Sequence, residues 1–227
     1  MVRHGRNNEK LDIARRIARI LLFVIGLTVF VYPYAAQYVN NRSATRLVQE
    51  YFASSPSNQI VDPWITSPGD FVQVTYDENG NELPANVSGG GYSGGYEGEI
   101  FGSIQIPKLG LELPIFTGST TINLNKGIAH LEGTSLPVGG ESTHSVLCGH
   151  NGSVTNEWFT HIDRMAIGDL FYIRTREQTL TYKVVSIKII GPYDLSELYI
   201  RPGEDLVTLL TCAEGGKTRL IVTGERV

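Results

Sequence analysis

Cysteine is scarce: Cys148 and Cys212 are the two in 227 residues. At most one bridge can form, so no disulfide framework substitutes for a core. No excess of positive charge is present either. The net charge is -4, which excludes the footprint of a general nucleic-acid binder. Long βαβ alternation and internal repeats are absent, which argues against a doubly wound sheet or a solenoid. Only one apolar run reaches spanning length, so a single membrane pass is the limit. Gly216-Lys217-Thr218 has Thr at position 211 where a phosphate-binding loop requires Gly, so that motif fails.

What is present is unevenly distributed. Residues 1–19 hold six basic side chains against Glu9 and Asp12, a formal +4, which leaves -8 on the rest of the chain. Residues 20–36 read ILLFVIGLTVFVYPYAA without a charge. As a helix rising about 1.5 Å per residue, such a run nearly crosses a hydrocarbon core. The spacing predicts a basic cytoplasmic tail over 1–19 and a transmembrane anchor over 20–38. The positive-inside rule puts everything beyond on the extracellular side. Tyr32, Tyr34 and Tyr38 are candidate interfacial aromatics. A cleaved signal peptide is the alternative, with Tyr34-Ala35-Ala36 nearest to a cleavage site.

Residues 40–55 predict an amphipathic helix capped by Ser43, with Leu47, Val48, Tyr51 and Phe52 on one face. Turn formers follow up to residue 99, ending in a Gly/Ser/Tyr-rich linker over 87–99. Region 100–227 is expected to be the catalytic domain. It reads as short strands at 101–106, 111–116, 144–149, 169–174, 180–190, 206–212 and 219–224. Helices are expected at 121–131 and 156–165, the second with Trp158, Phe159, Ile162 and Met165 on one face. The pattern is mostly β, a barrel or sandwich with short helical insertions behind N-terminal helices.

Cys212 ends the run DLVTLLTC, so its thiol is expected at a sheet rim before the small, flexible AEGGKT. A nucleophilic cysteine needs partial exposure and a cationic neighbour. His150 is the best candidate, placed where an apolar strand breaks at Gly149. His130 in the first short helix, His144 at a strand start and His161 in the second helix are read as structural or solvated. Arg219 begins the last strand seven residues after Cys212, and a loop between antiparallel neighbours would return it to the thiol. A guanidinium there can hold a developing oxyanion. Leu210 and Thr211 are candidates for lining the substrate groove. Cys148 shares the strand face of His150 by two-residue alternation and is expected near Cys212, where oxidation to a bridge is conceivable.

Thr208-Leu209-Leu210-Thr211-Cys212 resembles the Thr-Leu-x-Thr-Cys signature of sortases. Arg219-Leu220-Ile221-Val222 is similar to the family's Arg-bearing final strand, and Leu147-Cys148-Gly149-His150 to its histidine motif. HLEGTSLPVGG, residues 130–140, resembles the segment upstream of that histidine in pilus-assembling, class C sortases. The resemblance spans about 101–227. It implies an eight-stranded β-barrel with Cys212, His150 and Arg219 catalytic and no metal or organic cofactor. It further implies cleavage of a Leu-Pro-x-Thr-Gly (LPxTG) type sorting signal on surface proteins or pilins through a thioester. The acyl group would pass to an amine acceptor, a pilin lysine in pilus enzymes or a peptidoglycan precursor in wall-anchoring ones. Asp62-Pro63-Trp64 resembles the class C lid, in which Asp62 would pair with Arg219 and Trp64 would cover Cys212.

The chain departs from the class C pattern in its short AEGGKT loop, in lacking a hydrophobic tail after Val227, and in Cys148 where Thr is common. Two rival readings stand beside the resemblance. A papain-like protease would need its cysteine early, at a helix start. A non-catalytic surface module would join Cys148 to Cys212 in a plain disulfide.

Overall fold

The computed structural model describes residues 3–54, 99–152 and 156–227, with side chains from residue 15 onward. Helix α1 spans Arg3–Ala53 without a break. The two expected N-terminal helices are therefore one, and Ser43 does not cap a second: its hydroxyl donates to the Val39 carbonyl 2.9 Å away. Thr28 likewise donates to the Val24 carbonyl at 2.8 Å, which satisfies a hydroxyl inside the apolar run. Pro33 lies within the helix. A helix tolerates a proline where neighbouring groups take up the freed carbonyl. Among the described residues, α1 is the one helix long and apolar enough to cross a membrane.

Past the membrane-length portion, α1 docks on the body of the molecule. Ala44 and Val48 are buried against it. The Tyr51 hydroxyl donates to the Phe101 carbonyl at 2.6 Å. Asn40 Nδ2 donates to Asn156 Oδ1 at 2.7 Å. The Arg176 guanidinium lies 4.4 Å from the Tyr51 ring centroid and donates to the Tyr51 carbonyl and the Ser54 hydroxyl. The apolar face expected for 40–55 is thus a docking face.

The body is a closed barrel of eight strands. These are β1 Ile100–Ile106, β2 Leu111–Phe116, β3 Ile128–His130, β4 Thr143–Cys148, β5 Leu170–Arg174, β6 Thr179–Ile190, β7 Asp205–Ala213 and β8 Thr218–Arg226. Around the barrel the order is β1-β2-β3-β4-β7-β8-β6-β5. The β2/β3 and β4/β7 pairs are parallel and the other pairs antiparallel. Closure leaves no free sheet edge.

Two expected helices are corrected. The first is cut to α2, Thr121–Lys126, and the chain then enters β3, so His130 is a buried strand residue. Gly127 ends α2 where a Cβ would meet Pro114 and Phe116 at 2.7–3.0 Å. Over 156–165 the regular element is a short 3-10 turn at Ile162–Arg164. Trp158, Phe159, Ile162 and Met165 are nonetheless buried together in the barrel core. Their apolar spacing marked burial correctly but not a helix, because tertiary packing and not the local ladder holds them.

Two apolar clusters divide the strands by face. Leu147, Val207, Leu209 and Val222 belong to the barrel interior. Val146 and Ile221 form a second cluster with Ile190 and Leu198, against which Leu131, Cys148, Leu195 and Leu210 pack. Alternation along β4 and β7 makes the second cluster the outer face. Leu195 and Leu198 come from the β6–β7 connection, residues 191–204, which crosses that face.

Candidate active site

The three residues expected to act together lie at one end of the barrel, on its outer face. Cys212 and Arg219 are direct partners across the antiparallel β7/β8 ladder. Partners in such a ladder project to the same face with their Cβ atoms about 5 Å apart. Parallel pairing of β4 with β7 places Cys148 opposite Leu210. Beyond β4 the chain stays fastened to β7. The Gly149 amide donates to the Leu210 carbonyl at 3.1 Å. The buried Thr211 hydroxyl donates to the Gly149 carbonyl at 2.7 Å. Asn151 Nδ2 donates to the Cys212 carbonyl at 2.6 Å. His150 is held between these links, and its own carbonyl accepts from the Phe159 amide at 3.1 Å. It therefore lies alongside residues 211–212.

The three residues differ in exposure. Cys212 is exposed, while His150 and Arg219 are half-buried. Arg219 Nη1 donates to the carbonyls of Gly216 at 2.9 Å and Thr218 at 3.0 Å, which folds the guanidinium over the turn following the cysteine. That turn, expected to be flexible, is a tight left-handed one: φ is 48° at Glu214, 66° at Gly215 and 91° at Gly216. Glycine at the last two positions avoids the Cβ clash of that region.

Cys148 has no bridge to Cys212; both thiols are free. It is partly buried on the same face. Burial pushes its thiol up to about 12, the nearby Cys212 adds to the rise, and Arg219 opposes it. Near neutral pH, Cys148 is a neutral thiol beside Cys212. Leu210, one of the two groove candidates, sits half-buried on the outer face. Thr211, the other groove candidate, is 1% exposed and its hydroxyl donates to the Gly149 carbonyl, so it fastens the strand end to residue 149. The proposed lid residues Asp62 and Trp64 and the linker over 87–98 lie outside the described residues.

Two clefts among the described residues lie away from Cys212. One of about 250 Å³ adjoins Lys108, Trp158 and His161. The other, of about 620 Å³, lies between α1 and Asn125 and Asn156. Neither borders Cys212.

Sequence reasoning missed the residues that hold the site in place. The fastening roles of Thr211 and Asn151 depend on β4 and β7 being neighbours, which no local pattern reveals. His130 is a structural residue, with Nε2 3.0 Å from the Ser135 carbonyl and 3.1 Å from the Thr134 hydroxyl.

A closed barrel carrying an exposed thiol, with a histidine and an arginine gathered at the same strand ends, defines a cysteine acyltransferase of the barrel type. The family model of the sortase domain matches residues 104–227, and the chain belongs to the sortase family of cysteine transpeptidases. It is 28% identical to sortase A of Bacillus anthracis over 216 residues, 93% of each chain. It is 29% identical to sortase D of Bacillus subtilis over 57% of this chain and 65% of that one. Solved structures that it resembles include several sortase C enzymes. Sortase C-1 of Actinomyces oris is 45% identical over 56% of this chain and 72% of its own, with a TM-score of 0.55. Clostridium perfringens sortase C, solved with the C-terminal cell wall sorting motif, is 46% identical over 58% of this chain and 72% of its own, with a TM-score of 0.56. Sortase C2 of Group B Streptococcus Pilus Island 1 is 48% identical over 57% of this chain and 75% of its own, with a TM-score of 0.56.

Proposed function

We propose that this sortase is a single-pass membrane enzyme, amino terminus in the cytoplasm and barrel outside, that polymerises pilins. Cys212 is its nucleophile, His150 its general acid and base, and Arg219 its oxyanion partner. The observation that carries the reading is the β7/β8 register, which makes Cys212 and Arg219 direct cross-strand partners while residues 149–151 are fastened beside the same strand end.

Cys212 as the thiolate attacks a backbone carbonyl of an LPxTG-type signal lying along the outer face. Negative charge collects on that oxygen, and the Arg219 guanidinium stabilises it. The C–N bond breaks, His150 supplies the proton to the leaving amine, and a thioester remains on Cys212. An incoming amine then gives its proton to His150 and attacks the thioester; the C–S bond breaks as the new amide forms, returning the Cys212 thiolate and the protonated His150. A pilin lysine as the acceptor is supported by the 45–48% identity to class C enzymes. Anchoring enzyme, substrate and acceptor at one membrane face raises their effective concentration, so weak binding suffices.

A second reading, wall anchoring with a peptidoglycan amine as acceptor, is favoured by the likeness to sortase A along almost the whole chain. One experiment tests both. The protein is incubated with a sorting peptide, lysine-bearing pilin peptide and stem-peptide amine, and its adducts and products are read by mass spectrometry. The expected result is a peptide thioester on Cys212 and an isopeptide product with lysine. A stem-peptide product would replace pilus assembly by wall anchoring. Product from a Cys212→Ala protein would end the nucleophile assignment.

A further inference from the structure

His144 is a buried histidine that the reaction above does not use. It stands on β4 six residues before His150 and is 1% exposed. Alternation puts its side chain on the outer face with Val146 and Cys148. Its Nδ1 lies 2.9 Å from the Tyr199 carbonyl oxygen, which can only accept, so Nδ1 carries the proton. In the neutral ring, which burial favours, Nε2 is then the acceptor and receives the Thr208 hydroxyl at 2.7 Å. Thr208, having donated there, accepts from the Thr223 hydroxyl at 2.9 Å. With the ring neutral, the chain of three side chains and one carbonyl runs in one direction, from Thr223 through Thr208 and His144 to the Tyr199 carbonyl. Burial lowers the pKa of His144 and favours that form; Arg201 lowers it further, while the Tyr199 bond and Glu204 oppose the shift.

The direction matters because of what hangs on its end. Tyr199 belongs to the 191–204 connection, whose Leu195 and Leu198 pack on the outer face with Val146 and Ile221, next to Cys148 and Leu210. Cys148 and Leu210 are two residues before His150 and Cys212 on their strands. Apolar contacts hold the connection down but tolerate sliding, since dispersion has no direction. A hydrogen bond from a fixed ring does not. Beyond Tyr199, the connection is held again by the Thr143 amide to the Glu204 carbonyl at 3.1 Å and the Gly203 amide to the Ser142 hydroxyl at 3.0 Å.

We propose that His144 is a positioning residue: through the Tyr199 carbonyl, and oriented by Thr208 and Thr223, it fixes the 191–204 connection as a wall of the groove leading to Cys212. It thereby sets how firmly the acyl-donor peptide is held, and leaves the reactivity of the thiol alone. The peptide part of this rests on the reading that a sorting signal occupies the outer face.

Three substitutions separate the contacts in the full-length enzyme. Asn places an amide nitrogen where Nδ1 stands, and Gln places its amide where Nε2 stands. His144→Asn therefore keeps the bond to Tyr199, whereas His144→Gln keeps only Thr208. Hydrogen exchange over 195–204 is expected to quicken roughly tenfold in His144→Gln, the worth of one lost bond, and to stay near wild type in His144→Asn. KM for a sorting peptide is expected to rise about tenfold in His144→Gln, with kcat within about twofold and the pH profile of Cys212 alkylation unchanged. Wild-type exchange and KM in His144→Gln would overturn the proposal, as would a parallel loss of kcat with a shifted alkylation profile. If both His144 variants fail to fold, Thr208→Val provides the check: it must loosen the same segment, and unchanged exchange there would overturn the proposal. A wild-type enzyme inert toward the peptide would remove the functional reading, while the exchange result would still decide the role of His144.

Discussion

At the residue scale, two cysteines of one chain end with opposite properties because of where their strands leave them. Cys212 stands exposed at a rim, and Cys148 lies partly buried two strand positions before His150. The sign of the alkaline effect follows from the thiol of Cys148, raised from 9.0 to about 12 by burial. A group whose folded pKa lies above its unfolded value favours the fold while protonated. As pH rises through the unfolded value the unfolded chain releases its proton and the folded chain does not, so stability falls across the window from about 9 toward 12. Chemical unfolding between pH 8 and pH 10.5 should therefore show a decline in the wild type that is smaller in Cys148→Ala. Alkylation at pH 8 should stop at one adduct per folded chain, on Cys212, and a second adduct forming at the same rate would contradict the burial of Cys148. The sequence made the proximity of the two thiols legible through strand alternation. It could not reveal that one is neutralised, since burial comes from Leu195, Leu198 and Leu210 arriving from other elements.

At the element scale, the ends of β4 and β7 matter more than their middles. Seven runs of apolar alternation in the sequence correspond to seven of the eight strands. The missing one, β3, has only three residues and carries no period of its own. It exists because its parallel pairing to β2 and antiparallel pairing to β4 satisfy its backbone, a long-range fact that local propensity does not encode. The break at Gly149 was legible as a strand end, but its reason is steric. A Cβ there would stand 2.7 Å from Ile128 Cδ1 and from two atoms of the Phe159 ring, all in the barrel core. Gly149→Ala should cost about 1–3 kcal/mol, the usual range for overpacking. It should also lower kcat/KM by more than the stability loss explains, because the displaced backbone is the one that Thr211 and Leu210 hold beside His150. Thermal melts and peptide turnover measured on the same variant separate the two effects. Full activity in a destabilised protein would mean that the 149–151 backbone does not set the histidine's place.

At the scale of the whole molecule, the unbroken α1 joins the membrane-length segment to the barrel as one stiff element. The sequence suggested two helices because Ser43 is a good cap and the hydrophobic character changes near residue 40. Yet nothing between the halves forbids helix, and Ser43 can satisfy itself on Val39. With Asn40, Ala44, Val48 and Tyr51 fixed on the barrel, the direction of the apolar part of α1 relative to the barrel is set by docking, and under the proposed membrane anchoring the same contacts would set the height of Cys212 above the membrane. Two expectations follow from this geometry together with the basic tail. In intact cells, an impermeant maleimide should label Cys212 but not a cysteine placed at position 10 of a Cys212→Ala, Cys148→Ala chain. Labelling of position 10 from outside would reverse the proposed orientation. Ala44→Glu, which drives a carboxylate into a contact that is 1% exposed, should free the helix from the barrel. The uncompensated burial of a charge there is worth several kcal/mol, more than the docking contacts can absorb, so the helix yields before the closed barrel does. The barrel's own melt should therefore stay nearly intact while hydrogen exchange rises over 40–53. Turnover of a soluble peptide should persist, and pilin polymerisation on cells should fall, since only the latter needs the thiol held at a fixed height. Equal loss of both activities would show that the docked helix supports the groove itself.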